Sequence, residues 1–284
     1  MDIRTILACA ARPLTAPAER ALAGLRVLMY HRITTLPHYD QLVVPPERFA
    51  QQLAVLTRRR RVVSLADGLR ALRAGALREP LVAVTFDDGY LDNLEEAAPI
   101  LQRHGVPATV FVTADFCDQR TVHPRYAHAA TGGGQVHLNW QQLRRLADVP
   151  GFEIGSHTLS HPYLQRLSDE QARKEVQLSR DRIAQELGKP VRFFCYPSGD
   201  MGQRERELVA AAGYDAAVSV APGRNRPGFD RWAIRRTEVT ARDDERAFAL
   251  KLDGAFDPMH ALLHVRRQRR FARLSAGQRG GTRP

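Results

Sequence analysis

The 284-residue sequence predicts an α/β fold, and two observations favour a barrel of parallel strands. Short apolar segments alternate with longer amphipathic ones along most of the chain. The short segments are apolar at consecutive positions, which is typical of strands in a parallel sheet covered by helices. An open sheet would satisfy that pattern too, but seven strands with helices in most gaps favour a barrel. The candidate strands are residues 25–30, 81–86, 107–112, 152–155, 191–196, 214–220 and 232–239.

Helices are predicted where start signals precede the amphipathic stretches. Ser168 with Gln171, and Asn139 with Gln142, form capping-box patterns, in which side chains satisfy free amides at a helix start. The longest break in the alternation, residues 116–138, contains three consecutive glycines. It predicts a surface loop near the rim of the barrel.

The positive charge is concentrated at the carboxyl terminus. The formal net charge is +11, and the segment from His264 to Pro284 holds seven arginines and no acids. The rest of the chain is nearly ordinary, so we expect no nucleic-acid partner. We predict an N-terminal extension (1–24), one barrel domain (25–265) and a basic flexible tail (266–284). A solubilising tail is favoured, with peripheral contact to an anionic membrane as the alternative.

The cellular location is predicted from cysteine use and apolar runs. Three scattered cysteines do not make a disulfide framework, which fits a reducing compartment. The apolar stretch at residues 6–11 is shorter than a signal peptide needs, and no run approaches the ~18 residues of a membrane span. We therefore predict a cytoplasmic protein, with association to a membrane as the alternative.

Acids and histidines follow two of the predicted strands. Asp87 and Asp88 directly follow the strand 81–86 and precede Gly89. His157 and His161 follow the strand 152–155. Each pair alone is more often a solvated turn or ordinary surface and core histidines. Together, one carboxylate, two imidazoles and an open position form a catalytic pattern for a divalent ion such as Zn²⁺. The second carboxylate is then free to take a proton from bound water.

Three motifs resemble those of the polysaccharide deacetylases, the family 4 carbohydrate esterases. TFDDG (85–89) and HTLSH (157–161) are similar to the first two motifs of that family, in the same order and with similar spacing. FCYPSG (194–199) is similar to the third motif, which lines one wall of the groove. The resemblance extends from about residue 27 to residue 239. It implies a distorted (β/α)7 barrel.

The resemblance also implies a role for each site residue. Asp88, His157 and His161 would hold the metal, and Asp87 would be the catalytic base. In the third motif the backbone amide at Ser198 would face the developing oxyanion. Tyr196 and Pro197 are predicted to bind substrate beside it.

One catalytic element of the family is missing from the expected position. Many members carry an arginine in the third motif that braces the base, and Cys195 stands there in this chain. Arg235, at the end of a predicted strand, is the candidate replacement, although an ordinary surface arginine is an equally good interpretation.

Two histidines are candidates for the general acid that protonates the departing amine. His31 directly follows the first strand, which resembles the rearranged subgroup that deacetylates exopolysaccharide. His264 lies in a Leu-x-His-like pattern near the carboxyl end, but no predicted strand follows it. We favour His31, with a buried core histidine as the structural alternative for that position.

The predicted function is hydrolysis of the N-acetyl amide of N-acetylhexosamine units in a polysaccharide or lipid-linked glycan precursor, with release of acetate. A divalent metal, favoured as Zn²⁺, is the predicted cofactor. One alternative is the same machinery acting on a small non-sugar amide or cyclic imide. Another is a non-catalytic binding scaffold, which would have no use for the second carboxylate.

Overall fold

The barrel is formed by parallel strands that follow one another around its wall. The computed structural model describes residues 23–266, apart from residues 37, 76, 78 and 132–133. The described strands are β1 Gly24–Tyr30, β2 Arg32–Ile33, β3 Val43–Val44, β4 Arg61–Val62, β5 Pro80–Phe86, β6 Ala108–Val112, β7 Phe152–Ser156, β8 Phe193–Cys195, β9 Ala216–Val218 and β10 Arg236–Glu238. Seven of these strands lie in the order β10-β1-β5-β6-β7-β8-β9, and the short β4 pairs with β5.

The sheet nearly closes on itself through the segment before β10. Val218 in β9 forms a parallel bridge with Ile234, and the amide of Ile234 donates to the carbonyl of Ala217 at 2.9 Å. The strand that follows this segment, β10, pairs with β1, where Val27 lies opposite Arg236. The segment and β10 thus connect the two ends of the sheet. The predicted (β/α)7 barrel is therefore confirmed.

Helices cover the outside of the barrel and begin where the capping signals predict. The capping boxes at Ser168 with Gln171 and at Asn139 with Gln142 are both formed. Buried faces of these helices pack against the sheet in one large apolar cluster. The described helices span Pro46–Arg59, Leu65–Arg73, Ala98–Arg103, Ala114–Cys117, Ala127–Thr131, Trp140–Ala147, Asp169–Leu187, Gln203–Ala211, Glu245–Leu252 and residues 257–266.

The segment 116–138 differs from the predicted surface loop. It contains a 3₁₀ turn at Pro124–Tyr126 and buries Tyr126, Val136 and His137. Tyr126 and Val136 pack in a small cluster with Tyr90, so the segment is anchored beside the end of β5. The sequence pattern assigned Tyr126 and Val136 to no helix or strand, so their burial was not predicted.

Two predictions concern parts of the chain that are largely outside the described residues. Residues 1–22 and 267–284 are not described, so the proposed domain limits and the contact between a basic tail and a membrane stay predictions. Among the described helices, none combines the length and the apolar character needed to cross a bilayer.

Candidate active site

The predicted acids and histidines gather at the carboxyl ends of β5 and β7. Asp88 has φ 70° and is followed by Gly89 at φ 62°, so the chain turns sharply where β5 ends. Non-glycine residues in this left-handed region cost on the order of 1 kcal/mol or more, and such strain concentrates at functional sites. Four of the five described non-glycine residues with positive φ belong to the three motifs: Asp88, Thr158, His161 and Ser198.

Asp88, His157 and His161 have the spacing of ligands to one ion. Oδ1 of Asp88 lies 3.4 Å from Nε2 of His157 and 3.4 Å from Nε2 of His161. These distances are too long for good hydrogen bonds. Ligand atoms held about 2.0–2.2 Å from one tetrahedral zinc ion lie about 3.3–3.6 Å apart. Both distances from Asp88 therefore fit ligands of one divalent metal.

Neighbouring groups orient two of these side chains. Oδ2 of Asp88 accepts a hydrogen bond from the Tyr90 hydroxyl at 2.9 Å, which leaves Oδ1 facing the histidines. Nδ1 of His157 lies 2.8 Å from the carbonyl oxygen of Cys195. Because a carbonyl only accepts, Nδ1 carries a proton, and in the neutral ring the lone pair is on Nε2, on the side of Asp88. This is the tautomer that a metal ligand requires.

The site favours cations because its acids are buried and charged. Burial alone would raise the pKa of Asp88, but the two histidines hold that pKa well below its usual value. Burial lowers the pKa of His161 to about 4. For His157, burial lowers the pKa, while Cys195 and the carboxylates of Asp88 and Asp87 raise it above its usual value. A metal ion competes with that proton, so metal affinity should fall with decreasing pH.

Arg236 holds Asp87 through two hydrogen bonds. Its guanidinium donates to Oδ1 and Oδ2 of Asp87 at 2.6 and 2.7 Å, and both side chains are buried. Burial would raise the pKa of Asp87, but Arg236, together with His157 and His31, outweighs burial and lowers this pKa. Arg236 also contacts Sγ of Cys195 at 3.1 Å. Cys195, in β8, therefore contacts an arginine that belongs to β10.

The prediction that Arg235 braces the base is wrong by one residue. The Arg235 guanidinium donates to the carbonyl oxygen of Pro222 at 3.1 Å and lines a separate cavity. Successive side chains in a strand point to opposite faces, so only one of two adjacent arginines can point into the barrel. Arg236, the first residue of β10, is the one that points inward, where it binds Asp87.

Most of the candidate catalytic residues line one cavity of about 480 Å³. Tyr196 does not line it, since its ring is fully buried and packs against Phe194 at 5.2 Å. The predicted contact between Tyr196 and substrate is therefore not supported. His264 lines two neighbouring cavities instead. The predicted site residues in the cavity wall are His31, Asp87, Asp88, His157, His161, Pro197 and Ser198.

Besides Arg236, three further residues near the site were missed by sequence reasoning. Tyr90 bonds to Asp88, Nδ1 of His137 lies 3.0 Å from the Asp88 carbonyl oxygen, and His123 lines the cavity. A ring nitrogen of His123 lies within 4.8 Å of a carboxylate oxygen of Asp88 and a ring nitrogen of His161. His123 and His137 come from the segment 116–138, which carried no recognised motif.

An α/β barrel with paired acids and histidines at the carboxyl ends of its strands is an arrangement suited to a metal-assisted hydrolase. Residues 74–217 match the sequence model of the family described as polysaccharide deacetylase. The chain belongs to this family, the family 4 carbohydrate esterases, as the three motifs predicted.

One relative by sequence and two solved structures are similar to this chain. The Bacillus subtilis (strain 168) protein YxkH is 25% identical over 234 residues, which are 82% of this chain and 77% of YxkH. The structure of the Streptococcus pyogenes deacetylase PplD in complex with acetate has a TM-score of 0.71 and 23% identity, covering 81% of this chain and 99% of that one. IcaB from Ammonifex degensii has a TM-score of 0.66 and 23% identity, covering 81% and 97%. Both structures share the fold of this chain.

Proposed function

We propose that the chain removes N-acetyl groups from N-acetylhexosamine units of a polysaccharide or lipid-linked glycan precursor, in a metal-dependent hydrolysis that releases acetate. The observation that carries the proposal is a ligand set next to a second, charged carboxylate. Asp88 lies 3.4 Å from both histidines, and Asp87 beside it is kept ionised by Arg236. The structure of the Streptococcus pyogenes deacetylase PplD is a complex with acetate, which supports acetate as the proposed product.

The proposed metal ligands are Asp88, His157 and His161. One carboxylate with two imidazoles suits a borderline divalent ion, and Zn²⁺ is the favoured one. When bound, such an ion would polarise a carbonyl group and lower the pKa of water.

The chain's own residues supply the proton transfers. Asp87 takes a proton from the attacking water, and its bidentate contact with Arg236 keeps it oriented and unprotonated. His31 lines the same cavity and donates a proton to the departing amine. The backbone amide of Ser198, in the strained turn of the third motif, faces the developing oxyanion.

The shape of the site favours a glycan over a small amide or cyclic imide. The catalytic cavity shares Met29, Gln41, Val220 and Glu238 with a neighbouring cavity of about 440 Å³. Two adjoining cavities suit an extended substrate, whereas a small substrate is better served by one closed pocket. The position of His31 before the first motif supports the exopolysaccharide subgroup, so exopolysaccharide biosynthesis is the proposed setting.

The function is tested by supplying purified protein with zinc and measuring released acetate. The substrates are N-acetylhexosamine oligosaccharides of increasing length, set beside simple acetamides and cyclic imides. We expect acetate from the oligosaccharides, with rates that rise with length until both cavities are filled. Hydrolysis confined to the small amides or imides would assign the machinery to the alternative substrate class.

Replacing His157 with alanine should weaken metal retention, because alanine removes one of the three proposed ligands and has no atom that could replace Nε2. We expect the zinc content after dialysis to fall far below that of the wild-type protein. His104→Ala is the matched control, since His104 ends the helix Ala98–Arg103 and does not line the cavity. Equal zinc content in the His157 and His104 variants would remove His157 from the ligand set.

Replacing His31 should impair turnover more than replacing His264. A positioned general acid contributes about 10²- to 10⁴-fold, and only His31 lines the cavity that contains Asp87. We expect His31→Ala to lose activity in this range on an acetamide substrate and His264→Ala to change little. The converse result would assign the proton donor to the carboxyl-terminal helix.

A further inference from the structure

His123 is a third histidine beside the proposed metal ligands. It lines the catalytic cavity, and its ring lies 5.2 Å from the ring of His161 in an edge-on arrangement. One of its nitrogens is within 4.8 Å of ligand atoms of Asp88 and His161. Proximity alone would suit either a fourth metal ligand or a hydrogen-bond donor, and the hydrogen bonds of the ring distinguish them.

The tautomer of His123 is opposite to that of His157. Nδ1 of His123 accepts a hydrogen bond from the backbone amide of Arg125 at 3.3 Å, as the cap of the turn Pro124–Tyr126. The lone pair of Nδ1 is therefore occupied, and the single proton of the neutral ring is on Nε2. Neither nitrogen offers a lone pair to a metal. His123 instead presents an N–H group, whereas His157 presents a lone pair.

The backbone of His123 is fixed relative to Asp88 by His137. The His123 amide donates to Nε2 of His137 at 3.1 Å, so Nδ1 of His137 carries the proton and donates to the Asp88 carbonyl oxygen at 3.0 Å. The His137 ring is stacked between Tyr90 and Phe116, with centroid distances of 4.7 and 4.3 Å. A buried, sandwiched imidazole therefore holds His123 at a constant position beside the ligand Asp88.

We propose that His123 is a substrate-binding residue whose Nε2–H donates a hydrogen bond to the carbonyl oxygen of the acetyl group, and to an oxygen of the acetate product. The inference rests on the proposed function for the identity of that group. An acyl group attacked by water that Asp87 activates lies in the cavity that Asp87, Asp88, His161 and His123 line together. Its carbonyl oxygen is then an acceptor in the same cavity as His123. A donor held in place before substrate arrives stabilises charge that develops on that oxygen.

The test compares His123→Leu, which removes the donor, with His123→Asn, which retains an N–H group. We expect both variants to retain zinc like the wild-type protein through dialysis. Acetate should bind the zinc-loaded Leu variant about 10-fold more weakly, as expected for one lost hydrogen bond to a charged group. Its kcat on an acetylated oligosaccharide should fall about 100-fold. The Asn variant should recover part of both losses.

The controls separate three explanations. His128→Leu alters the same segment at a residue that lines a different cavity, and it should match the wild-type protein in all readouts. Zinc loss as large as in His157→Ala would make His123 a metal ligand and overturn the proposal. Unchanged acetate affinity and kcat in His123→Leu would also overturn it. If the wild-type protein deacetylates no glycan, the proposed function fails, while acetate binding still tests His123.

Discussion

Asp87→Asn should lose about 10²- to 10⁴-fold in turnover while the protein keeps its metal. Asparagine has nearly the same shape as aspartate, but its amide does not accept the proton of the attacking water. The proposed ligands Asp88, His157 and His161 are untouched by the change. The measurements are acetate release under saturating zinc and the zinc content of the same sample after dialysis.

The substitution also leaves the buried Arg236 without its counter-charge, so stability must be measured in parallel. The double variant Asp87→Asn/Arg236→Met removes both charges, and we expect it to recover stability without recovering activity. Asp88→Asn should instead lose zinc, which distinguishes the ligand from the base. An active Asp87→Asn enzyme would show that another group accepts the proton.

Arg236→Met should destabilise the fold by about 3–5 kcal/mol, because it leaves the carboxylate of Asp87 buried without its cation. The guanidinium is fully buried and binds Asp87 at 2.6 Å, so solvent does not screen the pair. Denaturant unfolding at neutral pH measures the loss. Arg235→Met is the matched control, since its guanidinium bonds to the Pro222 carbonyl and not to Asp87.

The pH dependence of the Arg236 variant follows from the pKa of Asp87. In the wild-type protein burial would raise this pKa, but Arg236, with smaller contributions from His157 and His31, outweighs burial and the pKa lies below its usual value. The pair therefore stabilises the fold above the pKa of the unfolded chain, and this contribution is lost as the pH falls through the folded pKa. Without Arg236, burial should raise the pKa of Asp87. The stability deficit of Arg236→Met should therefore be large at neutral pH and shrink in acid.

The same shift should appear in catalysis. A base works only when it is deprotonated, so the acid limb of the pH–rate profile should move to higher pH in Arg236→Met. Metal binding should change little, since Arg236 contacts none of the three proposed ligands. If Arg235→Met caused equal losses in stability and equal shifts in the profile, the ion pair with Asp87 would not be their cause.

Much of the architecture could be predicted from the sequence because it depends on local patterns. Runs of consecutive apolar residues locate the buried strands, and capping residues such as Ser168 and Asn139 mark the starts of helices. Since parallel strands place their carboxyl ends on one rim, residues that follow β5 and β7 were expected to meet. Asp88, His157 and His161 do come together there.

The sequence by itself determined the strand pattern, the helix starts and the motif residues, since each depends on neighbours within a few positions. Only the tertiary structure decided between Arg235 and Arg236, because a shift of one residue in a strand reverses the side-chain direction. Arg236 and Asp87 are 149 positions apart and meet only when β10 pairs with β1. The tautomer of His123 likewise depends on the folded segment 116–138, where backbone amides and His137 fix which nitrogen carries the proton.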